Sequence, residues 1–101
     1  MIAKPIKDKL TEIQSFLKSK KIKDVYIFGS ACTENFKDDS DVDFLIAFDK
    51  SLDYKEYGEL WWEIYFGLQK LLNKEIDIIN EDKIKNPYLK REIDKTRVKI
   101  I

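Results

Sequence analysis

The chain has 101 residues, enough for one hydrophobic core and one domain, residues 1–101. Its 44% apolar content, with only three Gly and two Pro, excludes a low-complexity or disordered chain. The 19 basic and 19 acidic residues cancel, which gives no electrostatic case for direct nucleic-acid binding, and the absence of histidine leaves acid–base work to carboxylates.

Residues 5–20 read as a first helix. Pro5 suits a first helical position, Ile6, Leu10, Ile13 and Leu17 recur at helical spacing, and Lys18, Lys20 and Lys21 place cations at the C-terminal end. Val25-Tyr26-Ile27-Phe28 is a short apolar run ending at Gly29, the pattern of a buried strand and a tight turn. Residues 31–40 are polar and read as a loop with room for one helical turn. Within it Cys32 is the single cysteine, which excludes an internal disulfide and a multi-cysteine zinc site.

Asp41 to Phe48 alternates with the strand period. Val42, Phe44, Ile46 and Phe48 are expected on one face, and Asp41, Asp43, Leu45 and Ala47 on the other. Asp53 to Glu56 forms a capping box for a long helix whose apolar stripe runs from Tyr57 through Leu60, Trp61, Ile64 and Leu68 to Leu72. Trp62 and Phe66 fall beside that stripe, leaving aromatic surface for a partner.

Glu75 to Ile79 is a third strand, with Asp77 opposite Ile76 and Ile78. Asn86-Pro87 opens a last helix in which Leu89 and Ile93 share a face. Residues 98–101 fit either a short strand or an apolar tail. Neither a signal-peptide core nor a membrane-length apolar run is present, so a soluble, cytoplasmic protein is expected.

An Asp-x-Asp pair is expected about once by chance in so aspartate-rich a chain. Three features raise Asp41 and Asp43 above that background. They lie at the start of one strand on one face, Gly29-Ser30 ends the preceding strand, and Asp77 interrupts the third. Aspartates in a buried sheet are costly without a cation or donor. A strand-end turn presents amides and a hydroxyl to an anion.

The set fits two-metal phosphoryl transfer, with Asp41 and Asp43 bridging two Mg²⁺ ions and Asp77 completing the second site and helping to take the acceptor's proton. Ser30 and the Gly29 amide would hold the terminal phosphates. Taken singly, each residue has a plainer role: Ser30 as a cap, Gly29 as a turn residue, Asp77 as a partner for Lys74 or Lys83, and Asp38 and Asp39 as loop solvation.

Gly29-Ser30, ten residues, then Asp41-Val42-Asp43, with Asp77 as third carboxylate, resembles the DNA polymerase β-like nucleotidyltransferase superfamily, in particular its minimal members (MNT). The resemblance covers essentially the whole chain. It implies an α/β (α+β) palm-like fold with a small mixed β-sheet covered by helices, Mg²⁺ as cofactor (two ions), and ATP as the substrate supplying a nucleoside monophosphate. Many family members follow the serine with a basic residue and a glycine, where this chain has Ala31, Cys32, Thr33 and Glu34. Lys37 is the nearest cation in sequence.

Three strands and their helices use nearly the whole chain, so the acceptor surface is expected from another molecule. Stand-alone MNT proteins resemble MntA-type antitoxins, encoded beside a HEPN-domain toxin that receives AMP on a tyrosine. That resemblance implies a protein adenylyltransferase with a HEPN partner in a hetero-oligomer. Two alternatives stay open: a non-catalytic antitoxin that neutralises its partner by contact, and a small-molecule nucleotidyltransferase.

Overall fold

The computed structural model describes residues 1–101. The amino-terminal helical segment is two pieces, α1 (Lys4–Lys7) and α2 (Leu10–Lys18), rather than one. The break is local. The Lys9 amide bonds the Ile6 carbonyl, three residues back, at 3.0 Å, which tightens the chain between the two helices. Ile6, Ile13 and Leu17 are all buried on the same side nonetheless.

Four strands form one mixed sheet in the order β3-β2-β1-β4. They are β1 (Ile22–Phe28), β2 (Val42–Phe48), β3 (Ile76–Asn80) and β4 (Val98–Lys99). β1 runs antiparallel to β2 and β4, whereas β2 and β3 are parallel, joined by the crossover helix α3 (Tyr54–Leu72). β1 is three residues longer than its apolar run because Ile22 pairs with Phe48, with a register irregularity between Ile22 and Asp24. The carboxyl-terminal segment is a fourth strand: Lys99 pairs with Tyr26 and Val98 with Ile27. The Ile100 amide bonds the Val25 carbonyl at 2.9 Å.

Each sheet face has its own cover. Ile27, Phe44, Ile46 and Ile78 join Ile13, Leu17, Ile64 and Leu68 in the main core beneath α2 and α3. On the opposite face a second, smaller cluster of Phe28, Leu45 and Ile93 forms where α4 (Pro87–Thr96) lies on the sheet. Leu45 is buried there although its strand alternates, since both faces are covered at that point. On α4 only Ile93 is buried, while Leu89 stays 39% exposed.

The long helix starts as its sequence dictates. Asp53 Oδ1 accepts the Glu56 amide at 2.8 Å, and Glu56 Oε1 accepts the Asp53 amide at 3.1 Å. It ends on Asn73 in the left-handed region, φ 52°. No helix is long and apolar enough to cross a membrane.

Candidate active site

The sheet's register assembles the acidic residues. Phe28 of β1 pairs with Asp43 of β2, and Asp43 pairs with Asp77 of β3. Register partners project from the same face of a sheet, on strands about 4.8 Å apart. Asp43 and Asp77 are therefore neighbours on the face that α4 covers, one row beyond the Tyr26–Leu45–Ile79 layer. Asp41 lies just before β2, two residues along on the same parity. Asp39 falls in an exposed turn closed by the Ser40 amide on the Lys37 carbonyl at 3.0 Å, in keeping with loop solvation.

The end of α4 reaches the Gly29 turn beside Asp43, yet burial differs from the sequence expectation. Asp41 and Asp77 are exposed and only Asp43 is half-buried. The Asp43 carboxyl is pushed up from 3.8 to about 6, first by burial and then by the charges of Asp77 and Asp41. Asp77 takes neither of its possible lysine partners. Lys74 Nζ donates to the Asp38 carbonyl at 2.7 Å, and Lys83 sits over the Tyr57 ring at 4.7 Å.

A fourth carboxylate, Glu75, precedes β3 but is drawn toward α3, where it accepts Gln69 Nε2 at 3.0 Å and the Tyr65 hydroxyl at 3.4 Å. That leaves Asp41, Asp43 and Asp77 as the open set. In the chain alone no three acidic side chains close on a single point as a preformed cage. The donor chemistry still fits Mg²⁺, since all three are hard oxygen ligands and burial, then the charges of Asp77 and Asp41, raise Asp43. A cation here would complete its shell with substrate oxygens.

Gly29 is dictated by the same packing. Its φ is +75°, and a Cβ there would overlap Asp43 Oδ2. The turn thus lies against the acidic residue. Residues Gly29–Cys32 form a single 3-10 turn with Ala31 and Cys32 buried, so the segment is less polar in place than in sequence. Ser30 caps nothing: the turn has no side-chain cap, and only the Ser30 carbonyl is engaged, by the Thr33 amide at 3.0 Å and hydroxyl at 2.9 Å.

The Gly29 amide differs from expectation. It is not free for an anion but donates to Thr96 Oγ1 at 2.8 Å, at the end of α4. Nothing local in the sequence marks Thr96, because the contact joins positions 67 residues apart. Cys32 is inert packing. Burial and, to a lesser degree, Asp43 push its thiol up against the opposing N-terminal charge, and Sγ donates to the Ile27 carbonyl at 3.2 Å.

None of the site residues lines a cavity. An apolar-walled cavity of 550 Å³ opens at the other end of β2, among Phe48, Leu52 and Tyr57. The acidic end of the sheet is open surface.

A family model described as polymerase beta, nucleotidyltransferase, matches residues 11–101. A Methanocaldococcus jannaschii protein named as a candidate protein adenylyltransferase, MJ0128, is 39% identical over 90 residues, 88% of each chain. Among solved structures, a candidate minimal nucleotidyltransferase superposes with a TM-score of 0.72 at 22% identity, over 97% of this chain and 95% of the other. A complex of a tri-AMPylated Shewanella oneidensis HEPN toxin with an MNT antitoxin matches with a TM-score of 0.65 at 18% identity, over 94% of this chain and 71% of the other.

Proposed function

The chain belongs to the polymerase beta nucleotidyltransferase family, and from that premise we propose that it transfers AMP from ATP to a hydroxyl of a partner protein. The observation that carries this reading is the in-register Asp43–Asp77 pair with the Gly29 turn packed against Asp43. In this reading Asp41, Asp43 and Asp77 hold Mg²⁺, which supplies charge neutralisation for the phosphates when bound. Ser30 donates its free hydroxyl to a terminal phosphate oxygen. The acceptor oxygen bonds to the α-phosphorus, the bond to the β-phosphate oxygen breaks, and pyrophosphate leaves. The exposed Asp77 carboxylate takes the acceptor's proton, a task no histidine is present to perform.

The acceptor is a tyrosine of a HEPN-type toxin encoded beside this chain, and the chain acts in the cytoplasm, where ATP is supplied. Two features support a protein acceptor. The acidic end of the sheet is open rather than enclosed, so it admits a macromolecule. On α3, Trp62 and Phe66 stack on each other and stay 54% and 58% exposed, offering aromatic docking surface.

Labelled ATP, Mg²⁺ and the neighbouring gene product, incubated with the chain, should yield a labelled partner. An unlabelled partner, with both proteins folded, refutes the reading. A second reading, neutralisation by contact alone, is favoured by the loop after Ser30, which carries no basic residue or glycine at Ala31–Glu34. Replacing Asp41→Asn together with Asp43→Asn separates the two: neutralisation that survives points to contact, and its loss points to catalysis.

A further inference from the structure

The chain lacks the basic residue and glycine that usually follow the serine, and its Gly29 amide is already engaged. Both facts remove phosphate donors from the turn. The group engaging that amide is itself a donor. Thr96 Oγ1 accepts the Gly29 N–H at 2.8 Å, which fixes the oxygen, and its own hydroxyl hydrogen has no partner within the chain. A helical threonine ordinarily directs that hydrogen to a carbonyl of its own preceding turn. Thr96 makes no such bond.

Its position is not loose. Ile93, one turn earlier, is buried against Phe28 and Leu45, and this packing holds the end of α4 beside the turn. The carbonyl end of a helix carries partial negative charge, so an anion there requires donors and cations. Lys95 and Arg97 flank Thr96. Arg97 is held over the Tyr26 ring at 4.8 Å and against Asp94 at 3.3 Å.

We propose that Thr96 is a phosphate-binding residue: the Gly29 amide orients its oxygen, and its hydroxyl hydrogen joins that of Ser30 in donating to a terminal phosphate of the bound nucleoside triphosphate. This rests on the triphosphate reading above. The amide of the turn then acts through Thr96 rather than directly on the phosphate, and α4 belongs to the site. Donors withdrawn from the loop are replaced by one delivered from the far end of the chain.

The test compares Thr96→Val, which keeps the shape and removes the hydroxyl, with Thr96→Ser, which keeps the hydroxyl. Binding of Mg²⁺-AMP-PNP and of adenosine to the full chain is measured by calorimetry. A hydrogen bond to a charged group accounts for about 10-fold or more in affinity, so Thr96→Val should weaken AMP-PNP by that much. Thr96→Ser should stay within about threefold of the parent, and adenosine binding should not change in either variant.

Thr96→Val binding AMP-PNP like the parent overturns the inference and leaves the triphosphate reading standing. Equal losses in Thr96→Ser and Thr96→Val overturn it too, because they indicate packing rather than donation. A parent chain that binds no triphosphate overturns the reading itself, and this inference with it.

Discussion

Asp43→Asn should make the free protein more stable at neutral pH while abolishing transfer. Asp43 is half-buried beside Asp77 and Asp41, and its carboxyl rises from 3.8 to about 6 on folding. At one pKa step per 1.36 kcal/mol, that rise corresponds to about 3 kcal/mol of cost for carrying the charge in the folded state. Solvent reaches the carboxylate, so screening reduces the figure to about 1–2 kcal/mol.

The sign follows from the direction. The folded state holds the proton more tightly than the unfolded chain, so the cost is complete above about pH 6 and disappears as pH falls toward 3.8. Asparagine carries no charge at any of these values. For a domain of this size the relief corresponds to a Tm increase of roughly 5–10 °C at pH 7.5, closing to nothing near pH 4. Thermal unfolding of both proteins across pH 4–8, without divalent ions, measures it. Adding Mg²⁺ should raise the parent's Tm and leave Asp43→Asn unmoved. A variant no more stable than the parent at pH 7.5, or a gap that does not close on acidification, refutes the account of Asp43 as a charge held in want of a cation.

Gly29→Ala should cost about 1–3 kcal/mol in denaturant unfolding, because it forces a side chain into the left-handed region and against Asp43 Oδ2, and it should eliminate transfer. Ile93→Ala, which empties the buried anchor of α4, should cost about 2–5 kcal/mol by the same measurement. It should also weaken AMP-PNP binding, because α4 carries Thr96. Replacing Trp62→Ser together with Phe66→Ser should change the stability of the free chain by only about 1 kcal/mol, since both rings are more than half exposed. The same pair should abolish association with the partner in analytical ultracentrifugation.

Local physics was legible wherever one segment contains the whole cause. The Asp53–Glu56 capping box formed as written because its two hydrogen bonds join residues three apart. The alternation of β2 placed Val42, Phe44 and Ile46 in the main core, and the exposure of Trp62 and Phe66 followed from their offset on α3. The same local rules misjudged the first helix, which a three-residue hydrogen bond at Lys9 divides. They also shortened β1, whose polar start at Lys23 and Asp24 is strand only because β2 pairs with it.

By itself the sequence determined the parts of the proposed site: a glycine at a turn, two aspartates on one strand parity, a third on another strand, and no histidine. The tertiary structure alone decided how the parts meet. It set Asp77 beside Asp43 rather than beside a lysine, turned Glu75 away to α3, made a strand of Val98–Lys99, and brought Thr96 to the Gly29 amide. The reason is that register and strand order are fixed by pairings between distant segments, whose energies depend on which faces are covered and leave no trace in local periodicity. The sequence therefore names the acidic residues, and the sheet makes neighbours of Asp43 and Asp77.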